Sequence, residues 1–263
     1  MTSDLRHGLG TSTTGRRQFL KGAAATGIGL ALAGSLPLKA LAAAGTTTDT
    51  VQSIINTALI AEQLATTFYY TGLTTPAIIN TPNLAGKSGS LNSVGSDGNA
   101  GNVAYFQAAL DQENKHAAAL AKAGAMSSQT GFYFPGTTFQ SIGYTSQVGT
   151  FLWVLDHLET AFIGAYLAAV NSFGTLGHAD LAQLAGQILG VESEHRALGR
   201  VVAGDDPANN VNLEVASFTA VGQAGAALAP YLTGKGFTGG VTSFIPLPTQ
   251  AQIITAVGTN ASS

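Results

Sequence analysis

The sequence predicts an all-α protein: a four-helix bundle with a long crossover connection and a C-terminal extension of short helices and loops. Three observations carry this prediction. Four segments repeat apolar or small residues at alternating spacings of three and four, the period of a helix with one buried face. Each stripe holds a glutamate near its middle, in a chain with six glutamates in all. Two of these glutamates are followed three residues later by a histidine, in "ENKH" at 113–116 and "ESEH" at 192–195.

Residues 1–44 stand apart from the fold. "TGRRQFLKG" at 14–22 precedes the apolar run "AAATGIGLALAGSLPL" and the small-residue stretch "ALAAAG", the layout of a cleaved export signal. Arg16 and Arg17, followed by Phe19, Leu20 and Lys21, resemble a twin-arginine signal. The mature chain is therefore expected to start near Gly45 and to be periplasmic or extracellular. The run is broken by Gly, Ser and Pro and is shorter than the roughly 20 residues of a membrane span. No later run is long enough to cross a membrane.

Residues 45–204 are expected to form the bundle. The first helix, about 50–71, puts Val51, Ile55, Ala58, Glu62, Ala65 and Tyr69 on one stripe. The second, about 103–123, aligns Phe106, Ala109, Glu113, His116, Leu120 and Ala123, with Gln107, Asp111, Asn114 and Lys122 opposite. The third, about 146–171, reads Val148, Leu152, Leu155, Glu159, Phe162, Tyr166, Ala169, and the fourth, about 179–202, reads Leu181, Ala185, Ile188, Glu192, His195, Gly199, Val202. Asp180 suits the N-terminus of that last helix. The stretch 72–102 is rich in Gly, Ser, Thr and Asn and reads as a long loop. Residues 124–145 are numerous enough to run the length of a bundle, whereas the short link at 172–178 implies an antiparallel pair. Residues 205–263, with Pro246, Pro248 and many glycines, form the extension packed on the bundle.

Composition excludes several functions. At 263 residues the chain can bury a sizeable core, but only 10% of it is charged, against roughly 25% in ordinary soluble proteins. No basic stripe interleaved with aromatics is present, which argues against nucleic acid as a partner. Without the signal, six basic residues face thirteen acidic ones, a net of −7. Cysteine is absent, so disulfides, zinc ribbons, thiolate clusters and cysteine nucleophiles are excluded. Any metal must bind through oxygen and nitrogen.

An ionised carboxylate alone in an apolar seam costs on the order of several kcal/mol, and four together need a shared counter-charge. Glu62, Glu113, Glu159 and Glu192 all sit near mid-helix, where antiparallel helices bring side chains to one depth. Residues three apart on a helix lie about 60° apart around the axis and about 4.5 Å along it. Glu113 with His116, and Glu192 with His195, therefore project side by side and can share one ion while the carboxylate reaches a second. Four carboxylates and two neutral imidazoles balance two divalent cations, and this mixed oxygen and nitrogen set suits iron or manganese better than calcium.

The motifs resemble the dimetal-carboxylate site of the ferritin-like superfamily, where one Glu from each of two helices joins Glu-x-x-His from each of the other two. The order Glu62, Glu113/His116, Glu159, Glu192/His195 matches that pattern over about 50–202. The resemblance implies that Glu113 and Glu192 bridge two metals and that Glu62 and Glu159 are terminal carboxylates, each paired with a histidine. It is closest in kind to secreted ferritin-like proteins of the desiccation-related type. The extension and the 72–102 loop depart from compact ferritin subunits and argue against a storage cage. The implied activity is redox chemistry of two iron or manganese ions with O2 or H2O2, ferroxidase-like or manganese-catalase-like, in oxidative-stress or desiccation defence. The alternative is a non-enzymatic scaffold whose metal site is structural or vestigial. Oligomeric state, a homo-oligomer included, stays open.

Other residues read more plainly. His157 points about 160° away from Glu159 and is expected to be solvated or partner-bonded. His178 reads as a loop or cap residue. Asp156 and Glu194 are expected on a solvated face, and Arg196 beside a nearby carboxylate. Tyr69 and Tyr166, two turns beyond seam glutamates, are expected in the bundle core, where a tyrosine near a dimetal site could also serve in electron transfer.

Overall fold

Thr50 starts the first helix, α1 (Val51–Thr74), through a capping box: its hydroxyl accepts from the Ser53 amide while the Ser53 hydroxyl accepts from the Thr50 amide. The computed structural model describes residues 49–81, 99–136, 138–139, 146–205, 207–209, 217–237 and 241–261. The expected export signal at 1–44 and most of the Gly/Ser-rich stretch, 82–98, lie outside them.

After α1 come a short helix α2 (Pro76–Ile79), α3 (Asn99–Lys122), strand β1 (Gly131–Pro135), α4 (Gln147–Thr175) and α5 (Ala179–Ala203). They are followed by a 3-10 turn (Val221–Gln223), α6 (Ala224–Thr233), strand β2 (Thr242–Pro246) and α7 (Gln250–Val257). Ser146 caps α4 by accepting from the Gly149 amide, and α5 closes on Gly204 in the left-handed region at φ 79°, where glycine meets no Cβ penalty. His178 takes the N-cap position of α5 without a side-chain cap bond.

Cross-helix contacts set the directions. Gln52 near the start of α1 donates to the Gly124 carbonyl just past α3, while Tyr69 packs on Phe106, so α1 and α3 are antiparallel. Phe68 stacks on Phe151 with ring centroids 4.4 Å apart, and Tyr166 bonds Glu62, so α1 and α4 are antiparallel too. The three residues between α4 and α5 force an antiparallel pair, as the short link implied. It follows that α3 and α4 run the same way, and the 123–146 connection must return along the bundle, the crossover the sequence predicted.

The four stripes face inward almost as read. All of Val148, Leu152, Leu155, Glu159, Phe162, Tyr166 and Ala169 are buried, as are Ala185, Ile188, Glu192, His195, Gly199 and Val202; Ala123, by contrast, is exposed. Helix α1 buries far more than one stripe, including Ile54, Leu64, Thr67 and Phe68. Thr67 and Thr71 satisfy their hydroxyls by donating back to the Gln63 and Thr67 carbonyls.

The crossover and the extension hold a feature the sequence reading did not include. β1 and β2 pair antiparallel, with Phe132 opposite Ile245 and Phe134 opposite Ser243. Phe132 and Phe134 alternate inward and are fully buried, and Phe134 joins Phe68 and Phe139 in an aromatic cluster. The extension is therefore not helices and loops alone. Asp49 accepts from the Val221 amide at 2.8 Å, and Gln107 donates to the Ala256 carbonyl at 2.9 Å, tying the C-terminal elements to the bundle. Among the described residues no helix is long and apolar enough to cross a membrane.

Candidate metal centre

Glu62 on α1, Glu113 and His116 on α3, Glu159 on α4, and Glu192 and His195 on α5 converge inside the bundle. The four glutamates are 0–1% exposed. His116 Nδ1 lies 3.2 Å from Glu62 Oε2 and 3.7 Å from both Glu113 Oε2 and Glu192 Oε1. His195 Nδ1 lies 2.8 Å from Glu113 Oε1, 3.4 Å from Glu192 Oε2 and 3.9 Å from Glu159 Oε1.

These contacts sort the six residues into two groups, each with ligand atoms within 4.8 Å of one another: Glu62, Glu113, His116 and Glu192, and Glu113, Glu159, Glu192 and His195. Glu113 and Glu192 belong to both. The sharing follows from antiparallel α3 and α5, which set each Glu-x-x-His opposite the other in reverse.

Both oxygens of Glu113, both of Glu192, Glu159 Oε2 and His195 Nδ1 are buried without a hydrogen-bond partner. The 2.8 Å approach of His195 Nδ1 to Glu113 Oε1 is a charge contact without hydrogen-bond geometry. A buried polar atom without a hydrogen bond costs about 1–3 kcal/mol, and these atoms have only the charge contacts with the two histidines, so a cluster of them within 4.8 Å of one another fits a cation-binding site. The donor set, carboxylate oxygens and imidazole nitrogens, is one that iron, manganese or zinc accepts.

The electrostatics agree. Burial, then the neighbouring carboxylates, raise Glu159 well above the ordinary carboxylate range, and burial leads the upward shifts of Glu113 and Glu192. Burial works against the charged form of His116, but Glu113 and Glu62 push it up to about 10. Protons thus supply part of the positive charge the cluster requires without metal.

Two features around the cluster were not expected from the sequence, which placed Tyr69 and Tyr166 in the core but not their bonds. Tyr69 on α1 donates to Glu159 Oε1 on α4 at 2.5 Å, and Tyr166 on α4 donates to Glu62 Oε1 on α1. Burial and the adjacent carboxylates raise both phenols well above their usual value, so both stay protonated donors. The signal was present: each tyrosine lies seven residues beyond a seam glutamate, and the two bonds cross between helices. The second feature is Gln112, whose Oε1 accepts from His195 Nε2 at 2.8 Å. That bond leaves Nδ1 as the ring atom facing the carboxylates.

The remaining residues lie outside the cluster. His157 binds the Trp153 carbonyl at 2.8 Å and Glu194 is exposed. Arg196 pairs with Asp156 at 3.0 Å and donates to Thr160 Oγ1 at 2.8 Å, so Asp156 anchors a cation rather than facing solvent alone.

A four-helix bundle with a buried carboxylate and histidine cluster that can hold metal ions belongs to a recognisable class of metal-binding bundles. Residues 50–205 match the model of the ferritin-like domain, and the chain belongs to that family. Comparison with curated proteins and with solved structures gave no match.

Proposed function

We propose that this ferritin-like chain is exported by the twin-arginine route and holds a dinuclear iron or manganese centre that reacts with O2 or H2O2 in stress defence. The observation that carries this reading is the pair of overlapping groups, sharing Glu113 and Glu192, whose buried oxygens have no hydrogen-bond partner. Glu62 and His116 would hold one ion, Glu159 and His195 the other, with Glu113 and Glu192 between them. When bound, such ions exchange electrons with O2 or peroxide, the chemistry of ferroxidase-like or catalase-like turnover. The chain's own residues orient the carboxylates, through Tyr69 and Tyr166, and keep bulk water out. Export is supported by Arg16 and Arg17 ahead of the apolar run.

The test is elemental analysis of protein purified from its native compartment, with its N-terminus sequenced. About two Fe or Mn per chain and a start near Gly45 support the reading, and the metal chooses between Fe(II) oxidation and peroxide disproportionation assays. A second reading, a ferritin-like stress-protection scaffold with a structural or vestigial site, is favoured by the near-complete burial of all four carboxylates. Absence of metal in an intact fold, or bound metal without turnover, would select it.

A further inference from the structure

The cluster is built from two halves related by an approximate two-fold. Glu62, Tyr69, Glu113 and His116 correspond to Glu159, Tyr166, Glu192 and His195: the Glu-to-Tyr spacing is seven in both, and the Glu-to-His spacing three. The tyrosine bonds obey this symmetry. What surrounds the two histidines does not.

Gln112, the residue before Glu113, accepts from His195 Nε2. Its counterpart, the residue before Glu192, is Val191, which has no side-chain acceptor to offer His116. Next to His195, Arg196 ties α5 to α4 through Asp156 and Thr160. The counterparts of Arg196, Asp156 and Thr160 are Ala117, Leu59 and Gln63, which cannot build that lock. Accordingly the His195 side chain is 3% exposed and that of His116 14%.

We infer that the two metal positions are unequal: the one at Glu159 and His195 is closed and retentive, and the one at Glu62 and His116 is where metal enters and leaves. The inference rests on the dinuclear reading above and adds to it a direction of exchange. The physical cause is twofold. A histidine whose far nitrogen is held by a carboxamide keeps its ligating nitrogen aimed, so it re-binds a departing ion before the ring turns away. A histidine with its edge toward solvent gives a hydrated cation its first contact, and a competing chelator the same.

The experiment uses the full chain, stripped of metal, loaded to saturation with Mn2+ and then challenged with excess EDTA while retained metal is counted over time. The expected result is two phases of about one ion each, the slower at least about 10-fold behind, since such supporting partners are typically worth about 10–100-fold in metal affinity. Gln112→Val should speed the slow phase by a similar factor, and Val191→Gln should slow the fast one. The second variant keeps the test decisive if the first misfolds. Two ions leaving in one phase overturn the inference and leave the dinuclear reading standing. Fewer than two ions at saturation overturn both. A Gln112→Val chain that folds, binds two ions and releases them as the parent does removes Gln112 from the argument and overturns its assignment.

Discussion

Tyr69 and Tyr166 brace the cluster crosswise: each sits seven residues after a glutamate on its own helix and donates to the corresponding glutamate on the other, Tyr69 to Glu159 and Tyr166 to Glu62. Removing one hydroxyl strands a buried carboxylate oxygen. Tyr69→Phe is therefore expected to destabilise the metal-free protein by about 1–3 kcal/mol, read from urea unfolding in the presence of a chelator. An unchanged midpoint and slope would mean that the bond contributes nothing to the fold.

The shared and terminal carboxylates should differ in metal count. Glu113→Gln keeps the shape but withdraws a donor from both groups, so metal per chain should fall well below one. Glu62→Gln touches one group only and should leave about one ion. Equal losses in the two variants would show that Glu113 is not shared.

Metal-free stability should fall as pH rises. Glu113, Glu159 and Glu192 are raised in the folded chain by burial first, and His116 is raised from 6.5 to about 10 by Glu113 and Glu62 against burial. Each group binds its proton more tightly folded than unfolded. Its contribution is therefore full below the unfolded value, 4.5 for the glutamates and 6.5 for His116, and is lost as pH climbs through the folded value. Thermal melts with chelator at pH 5, 7 and 9 should show Tm declining at each step. Because ligands must shed protons to bind metal, the gap between loaded and metal-free Tm should widen over the same range. A metal-free Tm that rises from pH 5 to 9 would contradict the charge arrangement.

Two glycines of α5 should respond oppositely to alanine. At Gly199 a Cβ would collide with the buried Leu155 side chain of α4, and overpacking of this kind costs about 1–3 kcal/mol. At Gly190 a Cβ meets open space, and the gain in helix propensity is about 0.5–1 kcal/mol. Denaturant unfolding should place Gly199→Ala below the parent and Gly190→Ala above it, with Leu155→Ala relieving part of the Gly199→Ala loss. A Gly199→Ala protein as stable as the parent would show that Leu155 yields to the added methyl without cost.

The helices were legible because periodicity is local: the stripe of α4 from Val148 to Ala169 needs only its own sequence to declare a buried face. The β1–β2 pair was not, because "GFYFP" and "TSFIP" are five-residue runs separated by more than a hundred residues. Nothing within either says that the other exists, although the period-two burial of Phe132 and Phe134 was a trace of it. The breadth of burial on α1 was hidden for a related reason, since the partners that cover its other faces come from the crossover as well as the C-terminal elements, Phe134 and Phe139 on Phe68 among them.

The sequence alone determined that four glutamates and two histidines lie at mid-helix positions on inward faces, because spacing on a helix fixes direction around its axis. Tertiary structure decided which atoms meet. Antiparallel α3 and α5 made Glu113 and Glu192 common to two groups, antiparallel α1 and α4 crossed the tyrosine bonds, and one shoulder residue, Gln112, reached His195 where Val191 could offer His116 nothing. Those relations depend on the direction and depth of neighbouring helices, which no single helix carries in its own sequence.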